Sequence, residues 1–251
     1  MITYFTLSPF KIGPFLLTPW GVAVFLAFLT AFLLTLFRAR QLKIELTTII
    51  DLLILSLIGG IIGSRAWVVI EYRTYFAAHP NEIFYVWQGG MAFFGGFLLS
   101  LLLLFLFIRK KHLSFTVIAD LVAPALPLAM AIGRIGNFLS GHHLGSITTV
   151  PWAISLNGRG RHPIALYEML LDFLIVGAVL LLERRKPKPG TLFLLFIFCY
   201  SLGRFFLDFL RNNDLPNADP RLLIGLTGAQ IVSACSVLII LIITFMRRYK
   251  K

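Results

Sequence analysis

Gly133-Arg134-Ile135-Gly136-Asn137-Phe138-Leu139-Ser140-Gly141-His142-His143-Leu144-Gly145 closes a hydrophobic segment long enough to cross a bilayer, with apolar sequence on both sides. An ionisable residue at the end of a membrane span is costly unless it is paired or faces a cavity. Arg134 is therefore the first candidate for a functional group, provided that the flanking runs are spans.

Composition supports that condition. Of 251 residues, 58% are hydrophobic and 14% charged, and mean hydropathy is +0.87; soluble globular domains lie well below this. The chain reads as an all-α polytopic membrane protein forming one integral domain over 1–251. Seven stretches, near 20–37, 48–70, 91–108, 115–135, 166–182, 191–210 and 228–246, are long enough for about 30 Å of hydrocarbon at about 1.5 Å per residue. Pro124 and Pro127 predict a kink in the fourth. Gly59-Gly60 and Gly63-Ser64 in the second allow another helix to approach closely. Cys199 and Cys235 fall inside apolar runs and read as small packing residues, with no disulfide framework or metal site expected. Met1 to Pro19 lacks a basic amino end and no small-residue cleavage site follows the first run, so it reads as a permanent anchor.

Charge gives an orientation. Arg38, Arg40 and Lys43 follow the first span; Arg109, Lys110 and Lys111 the third; Arg184, Arg185, Lys186 and Lys188 the fifth; and Arg247, Arg248, Lys250 and Lys251 the last. These lie on one side, which the positive-inside rule makes cytoplasmic, with the amino terminus outside and the carboxyl terminus in the cytoplasm. The net charge of +12 is thus topological. No exposed basic domain remains for nucleic acid. The other basic residues are Lys11, Arg65, Arg73, Arg134, Arg159, Arg161, Arg204, Arg211 and Arg221, nearly all arginine. Arginine offers a planar fork that suits phosphate, and topology alone does not require that preference.

Two outer segments stand out. Residues 71–90 carry Tyr72, Tyr75, Phe76, Phe84, Tyr85 and Trp87, a composition suited to the headgroup level. Residues 139–165, with His142, His143, Trp152, Arg159, Arg161 and His162, suggest a small extracytoplasmic head segment. No internal repeat is evident, which weighs against an inverted-repeat transporter.

Polar groups converge on the outer span ends. Tyr200, Arg204, Asp208 and Arg211 recur four, four and three residues apart and share a helical face. One reading makes Arg204 and Asp208 a mutually satisfied pair, which leaves Arg134 and Arg211 without partners. Gly89-Gly90 and Gly95-Gly96 flank the start of the third span, either to offer backbone amides to an anion or to let helices pack closely. Glu168, five residues after Pro163, either belongs to the cluster or simply favours a helix amino end. Asp51, Asp120 and Asp172 read as helix-start or packing residues.

The motifs Gly133 to Phe138, Gly141 and Gly145, His162-Pro163 with Leu166-Tyr167-Glu168, Tyr200 with Arg204 and Arg211, and Gly228-Ala229-Gln230 occur in one order along nearly the whole chain. In that order the chain resembles the bacterial prolipoprotein diacylglyceryl transferase family, as a divergent member. The resemblance implies transfer of the diacylglyceryl group of phosphatidylglycerol to the lipobox cysteine thiol of preprolipoproteins, forming a thioether and releasing glycerol phosphate, without a cofactor. It further implies a multi-pass protein of the bacterial inner membrane with its site facing the outer leaflet. Arg134 and Asn137 match the lipid-binding arginine and its neighbouring asparagine, Arg204 the essential arginine of the sixth span, and Tyr200 the tyrosine one turn before it. Substrate contacts are expected from Arg134, Gly136, Asn137, Gly145, Tyr200, Arg204, Arg211, Gly95, Gly96 and Trp20.

Four positions depart from the pattern: Phe94 replaces a histidine found in many members, His142 a glutamate, Trp20 a tyrosine and Asp208 a glutamate. His142 or His143 is a substitute proton acceptor for the thiol, or both are loop residues without chemistry. The expected catalytic set is Arg134, Arg204, His142, His143 and Asp208, with Asp208 orienting an arginine. The alternative is a phospholipid-binding or lipid-translocating homologue that kept the headgroup clamp and lost catalysis.

Overall fold

The computed structural model describes residues 2–13, 15–86, 90–156, 158–215 and 218–249. Trp87 and Gly89, and Lys250 and Lys251 of the last basic cluster, lie outside the described residues.

In chain order, β1 (Ile2–Thr3) and the hairpin β2 (Phe10–Ile12) and β3 (Phe15–Leu17) precede α1 (Pro19–Gln41) and α2 (Leu46–Glu71). Next come α3 (Arg73–Ala78), a 3-10 turn at Pro80–Phe84, α4 (Phe93–Lys110), α5 (Phe115–Val122) and α6 (Ala125–Leu139). Strands β4 (Ile154–Leu156) and β5 (Arg159–Arg161) lead to α7 (Ile164–Glu183), α8 (Thr191–Leu207) and α9 (Gly228–Tyr249). Among the described residues, six helical stretches are long and apolar enough to cross a membrane: Pro19–Gln41, Leu46–Glu71, Phe115–Leu139, Ile164–Glu183, Thr191–Leu210 and Gly228–Arg247. The stretch expected at 91–108 is helical too, as α4. The fold is all-α and polytopic. The head segment adds small β elements that hydrophobic periodicity did not predict, because β1 comes from the far amino end to pair in parallel with β4.

The chain forms two compact units, Thr35–Ile118 and the combination of Met1–Leu34 with Ala119–Lys251. In the former, α2 packs along α4 through small residues. A Cβ added at Gly63 would strike the Gly95 backbone, and one at Gly96 would strike the Gly60 carbonyl. Ser100 Oγ donates to the Ser56 carbonyl at 2.8 Å. In a membrane, close backbone contact and interhelical hydrogen bonds hold helices together, since lipid offers no hydrophobic contrast. Gly95 and Gly96, expected among the substrate contacts, are thus occupied in helix packing. The segment expected to lie outside is pinned here by Arg65, whose Nε donates to the Ile83 carbonyl at 2.9 Å and Nη1 to that of Gly90 at 3.2 Å.

In the larger unit, the expected kink is a break. Helix α5 stops at Val122 and α6 restarts after Pro124. Ala123 at the break packs with Ile175, Val179, Leu192 and Phe196, tying α7 to α8. Asp120 does more than pack: its carboxylate accepts the Gly190 N–H at 2.7 Å and the Phe193 N–H at 2.8 Å, satisfying free amides at the start of α8. That junction fixes the register of α8, and with it the height of Arg204.

Candidate functional site

Helices α6, α7 and α8 each bring charge to one place. Arg134 on α6 places Nη1 3.0 Å from Glu168 Oε2 on α7. Arg204 on α8 bonds Glu168 Oε1 through Nη1 and reaches Asp208 Oδ1 with Nη2 at 3.2 Å. Arg211, just past α8, lies 3.7 Å from Asp208 and 3.8 Å from Glu168. Glu168 is therefore the hub. Its side chain is 4% exposed, against 16% for Arg134 and 14% for Arg204.

Arg204 pairs with Asp208, as one reading had it, and also with Glu168 on a neighbouring helix. The expectation that Arg134 and Arg211 lack partners is corrected. Glu168 meets Arg134, while Arg211 Nη2 lies 3.1 Å from the half-exposed Asp219. Glu168 was legible in sequence only as one of two options, because three-residue and four-residue spacing reveals partners within a helix and not across helices. Asp208 is fully buried, and its other oxygen accepts from Thr227 Oγ1 ahead of α9. Gln230 locks that turn by accepting the Thr227 N–H at 3.0 Å.

The loop after α6 wraps this cluster. His143 adopts a left-handed φ of 56° and presents Nδ1 to Arg211 Nη2 at 2.9 Å. Facing a guanidinium, which only donates, Nδ1 is the acceptor and Nε2 carries the proton. Burial first, and then Arg211 and Arg134, push the imidazole down to about 4. His143 is thus neutral, its lone pair is occupied, and it is poorly suited to take a thiol proton. His142 is exposed beside it.

Gly145 sits where three strands of chain cross. Its N–H donates to the His162 carbonyl at 3.0 Å, it bridges to Arg211, and a Cβ would collide with His162. Arg161 is buried and grips Asp214 through both nitrogens, with Nη1 to Oδ1 at 2.9 Å. The arginines outside the basic clusters therefore split: Arg65 and Arg161 secure loops, whereas Arg134, Arg204 and Arg211 gather in the cluster.

The remaining expected residues make contacts of other kinds. Gly136 gives α6 its close approach to α1, where a Cβ would strike Ala23, and Asn137 is buried next to it. Trp20 is exposed at the start of α1, and the Tyr200 ring packs 6.2 Å from that of Phe196. Phe94, which stands where many members have histidine, is 68% exposed in the other unit.

Membrane-crossing helices that hold a shared arginine–carboxylate centre define an integral membrane protein with a charged site built between its spans. The sequence profile described as prolipoprotein diacylglyceryl transferase matches residues 8–246. A phosphatidylglycerol–prolipoprotein diacylglyceryl transferase of Geobacter sulfurreducens is 34% identical over 245 residues, covering 89% of this chain and 94% of its own length. One of the same name from Chromohalobacter salexigens is 37% identical over 221 residues, covering 85% and 83%. The Bordetella avium relative, likewise named, is 35% identical over 213 residues, 81% of each chain. The chain belongs to the prolipoprotein diacylglyceryl transferase family.

Proposed function

We propose that this protein transfers the diacylglyceryl group of phosphatidylglycerol to the lipobox cysteine thiol of a preprolipoprotein, at a site facing the outer leaflet. The sulfur attacks the glyceryl carbon next to the phosphodiester, that C–O bond breaks, glycerol phosphate leaves with the electron pair, and the thiol proton is released. The observation that carries the reading is the meeting of Arg134 and Arg204, from separate spans, on Glu168. Each guanidinium has five N–H donors, so both keep hydrogens free for a lipid phosphate. Such preset donors stabilise charge that grows on the leaving group. Asp208 orients Arg204, and Asn137 and Tyr200 border the headgroup. The basic clusters, read with α4 as a seventh crossing, support a position of the cluster on the outer side.

With His143 bound to Arg211, the guanidinium field itself favours the thiolate, since neighbouring positive charge lowers a thiol's pKa. A second reading, a lipid-binding homologue without catalysis, draws on that same occupied histidine and on Phe94. Incubating the purified chain with phosphatidylglycerol and a lipobox peptide separates the two. A thioether adduct that disappears in Arg134→Ala supports transfer; lipid retention with no adduct supports binding alone.

A further inference from the structure

Asp172 is unlike the other acidic residues of the spans. It is 1% exposed, and both carboxyl oxygens are buried without a hydrogen-bond partner among the described residues. Asp120, by contrast, spends both oxygens on the start of α8. Asp172 also lies well inside α7, away from any helix end that it might cap. It stands one turn beyond Glu168, on the same face of the helix. Its charged neighbours are Arg134, Glu168 and Arg204, the members of the arginine cluster.

A buried carboxyl group left without hydrogen bonds is unfavourable, and a hydrogen-bonding group of a bound ligand would satisfy it. Arg134 and Arg204 already place positive charge beside it, which disfavours a cationic ligand group such as an ammonium. A neutral hydroxyl donor fits. A carboxyl with two open oxygens matches two hydroxyls on adjacent carbons, which is what the headgroup of a phosphoglycerol lipid carries beyond its phosphate.

We infer that Asp172 recognises the headgroup hydroxyls of the bound lipid and sets the preference for a phosphoglycerol head over other anionic heads. This rests on the lipid reading of the cluster given above, and it adds headgroup selection to phosphate binding.

The test compares phosphatidylglycerol with phosphatidylpropanol, which has the same phosphate and a three-carbon head without hydroxyls. Retention of each lipid by the full chain in detergent is measured by native mass spectrometry, and transfer to a lipobox peptide is followed in parallel. The native chain is expected to retain phosphatidylglycerol about tenfold better, the scale of one hydrogen bond to a charged group. Asp172→Ala is expected to bring that ratio to about one by lowering phosphatidylglycerol retention. Asp172→Asn, nearly isosteric and with one acceptor left, is expected to fall between them and serves if the alanine variant does not fold. Equal retention of both lipids by the native chain, parallel loss of both in the variants, or an undiminished preference in Asp172→Ala would each overturn the inference. Selective retention without transfer would support Asp172 while removing the proposed activity; transfer without selectivity would do the reverse.

Discussion

Arg134 Nη1 and Glu168 Oε2 lie 3.0 Å apart, joining α6 to α7 through a carboxylate that Arg204 of α8 also holds. One buried anion therefore keeps two guanidiniums from repelling each other, and the three helices share one electrostatic joint. The consequence is asymmetric. Removing one arginine leaves Glu168 a partner, whereas removing Glu168 leaves two largely shielded cations with only Asp208, on Arg204, to offset them.

Glu168→Gln is accordingly expected to cost on the order of 3–5 kcal/mol, the scale for stranding a buried charge. Arg134→Ala should cost less stability while removing transfer. Thermal unfolding in detergent, alongside adduct formation, checks the ranking. Equal melting temperatures for the two variants would contradict the hub.

His143 yields a pH effect of defined sign. The folded imidazole is pushed down to about 4 from an ordinary 6.5, so between those values the unfolded chain binds the extra proton. Stability gained from the neutral imidazole is full above about 6.5 and is lost as pH falls toward 4. His143→Asn, which tolerates the left-handed backbone, should flatten the melting temperature over that window. A pH profile that keeps its slope in the variant would assign it elsewhere.

Asp219 reaches Arg211 from the surface and is 44% exposed there. It stands where an incoming phosphate would compete for the same guanidinium. Asp219→Asn should therefore tighten phosphatidylglycerol binding by about 1.5-fold to fivefold, the range for an exposed ion pair. Lipid titration against the native chain measures it, and weaker binding in the variant would show that the pair holds the site open.

Gly63→Leu should separate α2 from α4, because its side chain would enter the Gly95 backbone. Overpacking of this kind costs about 1–3 kcal/mol or more. The expected result is a lower melting temperature, checked against Gly177→Leu on α7, where a Cβ meets nothing within 4 Å.

The sequence by itself settled the membrane class, the position of the spans and the arginines worth attention, because lipid demands long apolar helices and makes each buried charge conspicuous. Arg204 and Asp208 were readable as a pair since four-residue spacing sets them on one helical face. A kink from Pro124 and Pro127 was readable because proline cannot continue a helix's hydrogen bonds, though not that it would be a break. The hub at Glu168, the capture of His143 by Arg211, the return of β1 to β4 and the use of Gly95 for packing were decided only by tertiary structure. Each joins residues from different elements, and periodicity along one helix carries no information about what a neighbouring helix presents.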